Sequence, residues 1–380
     1  MHYLAPVLLA TALAPPAAMP PALPPACEPV KSIPFKEPPR FENRSYVFPS
    51  GSLKLGGCLY RPAGAAKYPV LVLVSGSDDT PTAADIYTVI HAKAFTAQGI
   101  GVFAFNKRGL GGSEGEITDT DFASRAQDVA AAIQFVRRLP TTTAVAVWGS
   151  SQAGWVIPQA LHPDDGVQFV MLVSPAGVNP NDQIAFFMRN LARRLGMNAI
   201  EAADAEVLHR AVVKYYATGK GYEAAQALVD RLRPKPWFEK FRANEEWDEK
   251  IGADGRLLPP AELRKAWKTR ASDFAFYRAP DTFRDYGKAY EAIDRPVLVV
   301  HGSADGLVPV PDSIAAFRAA FARNGNHAAE FKIFEGAEHG GQDGPRVRPA
   351  YLDFTSDWAA RHFVLAEGGS ARGATDPRIP

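Results

Sequence analysis

Residues 145–155 read Val145-Ala146-Val147-Trp148-Gly149-Ser150-Ser151-Gln152-Ala153-Gly154-Trp155. The pattern predicts a buried strand, a tight turn and then a helix. A nucleophile on such a turn needs small neighbours two positions before and after it, since larger side chains would clash with the strained backbone. Ser151 has Gly149 and Ala153 at these positions, whereas Ser150 would have Trp148. We therefore predict that Ser151 is a catalytic nucleophile; the alternative is a polar strand-to-helix turn with no catalytic role.

A serine hydroxyl needs a base within hydrogen-bond reach, and that base needs a carboxylate to orient it. His339 is the candidate base, because it lies in a glycine-rich loop between a short apolar strand and the last helical pattern. Asp305 is the candidate acid, because it follows the predicted strand 297–300. Asp312 is an alternative acid, but we expect it to be the N-cap of the helix that follows.

The reaction also needs hydrogen-bond donors for a developing oxyanion, and backbone N–H groups are the natural choice. One donor should be Gln152, directly after the nucleophile at a helix N-terminus. We expect the other to be the N–H of Ser77, in the polar loop that follows the apolar run Val70–Val74. The alternative is that this loop is a simple turn.

Apolar, β-branched runs recur along the chain and are separated by helical patterns. The strongest runs are Val70–Val74, Gly101–Phe105, Ala144–Trp148, Phe169–Val173 and Pro296–Val300. Such runs are typical of parallel strands that are buried on both faces. They predict an α/β fold with a mostly parallel central sheet and helices on both faces. An antiparallel pair, Tyr46–Phe48 with Leu53–Tyr60, is predicted at one edge of the sheet.

One long section, from about Asn179 to Ile293, lacks strong strand patterns and holds helical ones instead. We expect residues 176–293 to form a helical cap inserted into a core made of residues 27–175 and 294–366. The active site should then lie at the carboxyl ends of the strands, beneath the cap. Beyond residue 366 we expect a loose tail, 367–380.

Residues 1–26 have a short apolar run followed by Ala and Pro, which is typical of a signal peptide. We therefore expect export to the periplasm or the extracellular space; a disordered leader on a cytoplasmic protein is the alternative. The two cysteines, Cys27 and Cys58, could form a disulfide in an exported protein or remain two thiols.

Composition and motifs exclude several classes of function. The 380 residues carry 42 Lys and Arg against 41 Asp and Glu, so charge gives no reason to expect a nucleic-acid partner. The segment Gly109–Gly115 lacks the glycine spacing and the following helix of a dinucleotide loop. We found no nucleotide, metal or membrane-spanning pattern, so we expect no cofactor, no metal, no integral membrane segment and a small-molecule substrate. The oligomeric state stays open.

Five short motifs together resemble the α/β-hydrolase superfamily, in particular its bacterial serine esterase and peptidase-like branch. They are Ser75-Gly76-Ser77-Asp78, Asn106-Lys107-Arg108-Gly109-Leu110-Gly111-Gly112-Ser113, the 149–155 segment, His301-Gly302-Ser303-Ala304-Asp305 and Ala337-Glu338-His339-Gly340. The order Ser151, Asp305, His339 along the chain is also the order of this fold. The resemblance implies hydrolysis of an ester, thioester or amide through an acyl-enzyme.

We expect a carboxylesterase whose cap sets the substrate. Aromatic residues of the cap either line an acyl pocket or form the cap's own core. The alternative enzyme is a prolyl-type aminopeptidase or other amidase, in which Glu245 or Glu246 of the cap would bind a substrate amine. A non-catalytic binding protein on the same fold is the alternative of another class.

Overall fold

Eight strands form one sheet in the computed structural model, which describes residues 25–28, 41–78, 80–117, 121–243, 251–269 and 278–367, with side chains as far as Phe363. The strands are β1 Phe41–Ser50, β2 Leu53–Pro62, β3 Tyr68–Val74, β4 Gly101–Phe105, β5 Thr142–Ser150, β6 Val167–Val173, β7 Val297–Gly302 and β8 Ala329–Phe334. Their order across the sheet is β1-β2-β4-β3-β5-β6-β7-β8. β2 is antiparallel to both β1 and β4, and the remaining pairs are parallel. The predicted α/β-hydrolase fold class, including the antiparallel edge pair, is confirmed.

Helices follow the strands as the sequence predicts. They are α1 Ile86–Ala97, α2 Phe122–Arg137, α3 Ala153–Ala160, α4 Pro180–Arg194, α5 Ala199–Thr218, α6 Tyr222–Leu232, α7 Phe238–Arg242, α8 Pro260–Thr269, α9 Gly287–Tyr290, α10 Val310–Asn324 and α11 Pro349–Glu367. Both faces of the sheet are covered by large apolar clusters. A short ribbon, β9 Gln342–Asp343 with β10 Arg346–Val347, lies between β8 and α11.

Parallel pairing brings the carboxyl ends of the central strands to one edge of the sheet. β3 and β5 pair up to Val74 and Gly149, and β5 and β6 pair up to Ser150 and Val173. The loops that follow β3, β5, β6, β7 and β8 therefore meet at this edge, which is where ligands bind in open α/β sheets.

Within its described residues, the segment between β6 and β7 holds the helices α4 to α9. It has an apolar core of its own, in which Trp237 is buried. Trp267 packs against that core and donates its indole N–H to the Tyr216 carbonyl at 3.2 Å. These two tryptophans thus serve the core of the inserted helices. Trp247 lies outside the described residues, as do Glu245 and Glu246.

The start of α10 corrects one expectation. The helix begins at Val310 with Pro309 at the N-cap position, so Asp312 lies inside the first turn and is not the N-cap. Proline at and just after the cap explains the earlier start, because its fixed φ suits the first helical turn and its missing N–H is not needed there.

The two cysteines form a disulfide between Cys27 and Cys58, the pairing that the sequence had left open. Cys58 lies in β2, and the N–H of Cys27 donates to the Ser45 hydroxyl of β1 at 2.9 Å. The bridge therefore fastens the described residues 25–28 to the antiparallel edge of the sheet. Within the described ranges, none of the helices combines the length and apolarity needed to cross a membrane.

Candidate active site

Ser151 lies on a sharp turn directly after β5. Its φ is +52°, in the left-handed region that non-glycine residues rarely adopt. Its N–H donates to the Val173 carbonyl of β6 at 2.8 Å, which holds the strained turn in place. The elbow is also sterically crowded: a Cβ on Gly149 would lie 2.7 Å from the Ala153 Cβ, and one on Gly154 would lie 2.7 Å from the Pro175 Cβ. The predicted need for small neighbours thus has a direct structural cause.

Asp305 and His339 are joined by a hydrogen bond. The Nδ1 of His339 lies 2.8 Å from Oδ2 of Asp305, whose side chain is fully buried. The other carboxylate oxygen accepts the N–H groups of Leu307 and Val308 at 2.9 and 3.0 Å. Because the carboxylate only accepts, Nδ1 carries the proton, and in the neutral tautomer of the imidazole Nε2 then has the lone pair.

The surroundings of Asp305 keep it ionised. Burial raises the pKa of the carboxyl group, but the hydrogen bond and charge of His339, together with the two backbone N–H donors, outweigh burial. The net result is a pKa below the ordinary value. Asp305 is therefore a fixed negative charge behind the imidazole at neutral pH.

The loop that carries His339 is fixed from two sides. The N–H of Gly340 donates to the Ser174 hydroxyl at 2.9 Å, and the Tyr87 hydroxyl donates to the Gly340 carbonyl at 3.1 Å. Ser174 follows β6 and has φ +47°. It comes directly after Val173, which accepts the Ser151 N–H. Consecutive residues at the end of β6 therefore hold the serine turn and the histidine loop.

A second layer of aromatic residues supports this arrangement. The Nδ1 of His91 lies 2.7 Å from the Tyr87 carbonyl, and Nε2 lies 3.0 Å from the Tyr351 hydroxyl. Burial lowers the pKa of His91 to about 4, so the ring is neutral at pH 7. A Cβ on Gly341 would lie 2.6 Å from the Tyr351 ring, so the histidine loop rests directly on this layer.

The loop after β3 passes close to the serine turn. A Cβ on Gly76 would lie 3.2 Å from the Ser151 Cβ, and the next residue is the exposed Ser77. Gln152 occupies the N-cap position of α3. The two predicted oxyanion donors thus belong to segments that meet at Ser151.

Two buried cations hold these segments. Arg125 of α2 donates from Nη2 to the Ser75 carbonyl at 2.9 Å and from Nη1 to Oε1 of Gln152. Lys107 donates its Nζ to the carbonyl of Asp78. Sequence reasoning missed Arg125, Ser174 and Tyr87. Each of them contacts residues that are distant in sequence. Only Ser174 could have been found from the sequence, because it directly follows a central parallel strand.

A strained serine at the carboxyl edge of this sheet, together with an Asp–His pair whose carboxylate is buried, fits the arrangement of serine hydrolases of the α/β-hydrolase fold. Comparison with known proteins agrees with this class. Residues 51–337 match the family model described as X-Pro dipeptidyl-peptidase (S15 family). The match covers most of the chain, and the protein therefore belongs to the S15 family and is a serine hydrolase.

Solved structures show the same fold at low sequence identity. An esterase from Pyrococcus furiosus is 13% identical, with a TM-score of 0.51 over 91% of this chain and 97% of that chain. A proline iminopeptidase from Mycobacterium smegmatis is also 13% identical, with a TM-score of 0.50 over 85% of this chain and 99% of that chain. At these identities the likeness shows the fold alone, and both esterases and peptidases share it.

Proposed function

We propose that the protein hydrolyses carboxylic esters through an acyl-enzyme, with Ser151 as nucleophile, His339 as base and Asp305 as acid. The observation that carries the proposal is the Asp305–His339 hydrogen bond, which leaves the Nε2 lone pair available at the edge where Ser151 stands. The serine turn is hydrogen-bonded to Val173, and the histidine loop is hydrogen-bonded to the next residue, Ser174. Ser151 and the loop of His339 are thus held by two consecutive residues at the end of β6.

The reaction follows from these positions. Nε2 of His339 takes the Oγ proton as Ser151 attacks the ester carbonyl carbon, and the N–H groups of Gln152 and Ser77 stabilise the oxyanion. Collapse of the tetrahedral intermediate breaks the bond to the alcohol, which receives its proton from His339. Water, deprotonated by the same imidazole, then attacks the acyl-enzyme; the acyl–Oγ bond breaks, His339 returns the proton to the Ser151 Oγ, and the carboxylic acid is released. Apart from the ester and water, these steps use only side chains and backbone groups of the chain.

The charge on Asp305 has a defined part in this scheme. Its low pKa keeps it ionised while His339 becomes an imidazolium, so the carboxylate stabilises the positive charge without taking the proton. The hydrogen bond at Nδ1 also selects the tautomer that can act as the base at Nε2.

The second candidate is cleavage of an amide after proline, and the family match favours it. The same nucleophile, base and acid would serve, but a site for the substrate's amino group would also be needed. The predicted carboxylates for that role, Glu245 and Glu246, lie outside the described residues. An inserted helical cap over the site would select between the two substrate classes.

The experiment compares p-nitrophenyl esters, from acetate to long acyl chains, with Xaa-Pro p-nitroanilides. The proteins are the wild type, Ser151→Ala and the matched control Ser150→Ala. The proposal is supported if the wild type and Ser150→Ala hydrolyse esters and Ser151→Ala does not. Anilide cleavage alone would select the peptidase, and ester hydrolysis undiminished in Ser151→Ala would overturn the mechanism.

We also propose that the protein is exported. The Cys27–Cys58 disulfide supports this, because such bonds persist in oxidising compartments, and so does the apolar run of the leader. Fractionation of cells that express the full chain should recover activity outside the cytoplasm, with residues 1–26 removed. Full-length reduced protein in the cytoplasm would contradict this proposal.

A further inference from the structure

Arg125 connects the two segments that carry the proposed oxyanion donors. Its guanidinium reaches the Ser75 carbonyl at the start of the loop after β3, and the Gln152 side chain at the start of α3. Ser75 and Gln152 are far apart in sequence and approach each other only at the carboxyl edge of the sheet. One planar group therefore spans the gap between the segments.

The cation is buried at a cost, and its hydrogen bonds go to neutral acceptors. Only 6% of Arg125 is exposed. This burial lowers the pKa of the guanidinium to about 10, although the negative charges of Asp78 and Asp128 act to raise it. The guanidinium is still charged at neutral pH. Asp128 is itself bound by the fork of Arg108, at 2.8 and 2.9 Å. Among the residues that the structure describes, no carboxylate forms an ion pair with Arg125, and burying a charge without such a partner is unfavourable, so a role in stability alone does not explain Arg125 well.

The loop after β3 is fixed at its far end as well. Lys107, also buried, donates to the Asp78 carbonyl and lies 3.7 Å from its carboxylate. The two cations thus hold the loop at Ser75 and at Asp78, and the proposed donor Ser77 lies between these points. Gly76 gives the loop room to approach Ser151.

We propose that Arg125 is a positioning residue of the oxyanion hole, which sets the separation between the Ser77 and Gln152 N–H groups. This inference rests on the proposed function. Oxyanion donors lower the barrier only when they already point at the place where charge develops, and small misplacements are costly. A fork of two parallel donors can fix two acceptors at once, whereas the single ammonium of lysine cannot reproduce that geometry.

The test compares Arg125→Lys with Arg108→Lys in the full chain, using a p-nitrophenyl ester and a trifluoromethyl ketone that mimics the tetrahedral intermediate. Both variants keep a cation beside α2 and lose a fork. Arg125→Lys should lower kcat by about 10- to 100-fold, leave KM within about twofold, and weaken ketone binding by a similar factor to kcat. Arg108→Lys should keep kcat within about twofold.

A second variant covers the case in which Arg125→Lys does not fold. Gln152→Met removes only the acceptor for Nη1 and keeps the backbone N–H. It should lower kcat by about 3- to 10-fold without raising KM. If the wild type is active and every variant that folds, Gln152→Met alone if Arg125→Lys does not, keeps kcat and ketone affinity within about twofold, the proposed role of Arg125 is wrong. A wild type without Ser151-dependent hydrolysis would instead overturn the proposed function.

Discussion

The two sides of the proposed active site are held in different ways. On the base–acid side, neighbouring loops at the sheet edge hold one another: Asp305 accepts from Leu307 and Val308, and Gly340 donates to Ser174. On the oxyanion side, buried cations from other elements hold the loop after β3, with Arg125 at Ser75 and Lys107 at Asp78. The difference teaches that the acid–base pair is held mainly by backbone and hydroxyl groups close to it, whereas the segments of the backbone donors are held by long cationic side chains from other elements.

The largest expected effect is on the base–acid side. Asp305→Asn keeps the shape of the side chain but removes its charge and presents the wrong tautomer to the base, so kcat should fall by about 10³- to 10⁴-fold. Asp312→Asn, in the first turn of α10, is the matched control and should be nearly unchanged. Steady-state kinetics on one p-nitrophenyl ester measure both. A kcat for Asp305→Asn within about tenfold of the wild type would contradict the assignment of the acid.

Acid should weaken the fold through histidines packed on the base–acid side. Burial lowers the pKa of His301 to about 4 and that of His91 to about 4, from 6.5. Between about pH 6.5 and 4 the unfolded chain therefore binds more protons than the folded protein does. The free energy of unfolding should fall as the pH drops through this range, by up to about 3 kcal/mol for each histidine. Arg125, with a pKa of about 10, does not titrate in this range.

Urea unfolding at several pH values checks this prediction. His301→Leu should flatten the pH dependence, because a group that must stay neutral has been removed, whereas the exposed His162→Leu should not change it. A pH profile identical in the wild type and His301→Leu would show that His301 is not buried in its neutral form.

A smaller effect is expected from the contact between the end of β6 and the histidine loop. Ser174→Ala leaves the Gly340 N–H without its acceptor, so the base should shift and kcat should fall by about tenfold. Ser303→Ala is the matched control: its hydroxyl accepts the Gly336 N–H at 2.8 Å, but at an exposed position. Equal kinetics for the two variants would show that the Ser174 contact does not position His339.

The smallest effect on activity is expected from the inserted helices. Trp267 packs on their own core, so Trp267→Ala should lower stability by about 2–4 kcal/mol and leave the acyl-chain preference unchanged. Thermal melts and the ester series measure these two properties. A changed chain-length profile in a stably folded Trp267→Ala protein would place this residue in the substrate pocket.

The sequence predicted the sheet and the segments of the site because both depend on local signals. Buried parallel strands leave apolar runs, and the serine turn needs small residues at fixed positions beside Ser151. The roles of Arg125 and Tyr87 could not be predicted, because each acts on a residue distant in sequence that only tertiary packing brings near. The predicted N-cap of α10, Asp312, is wrong for a local reason. Pro309 and Pro311 favour a helix that begins at Val310, before Asp312.

The most direct test of the proposed mechanism is to trap the acyl-enzyme. The wild type is mixed with p-nitrophenyl butyrate, quenched in acid within the first turnovers, digested and analysed by mass spectrometry, with Ser150→Ala treated in parallel. The proposal predicts one butyryl group on Ser151 in both proteins. Turnover with no acyl group on Ser151, or with the acyl group on another residue, would contradict it.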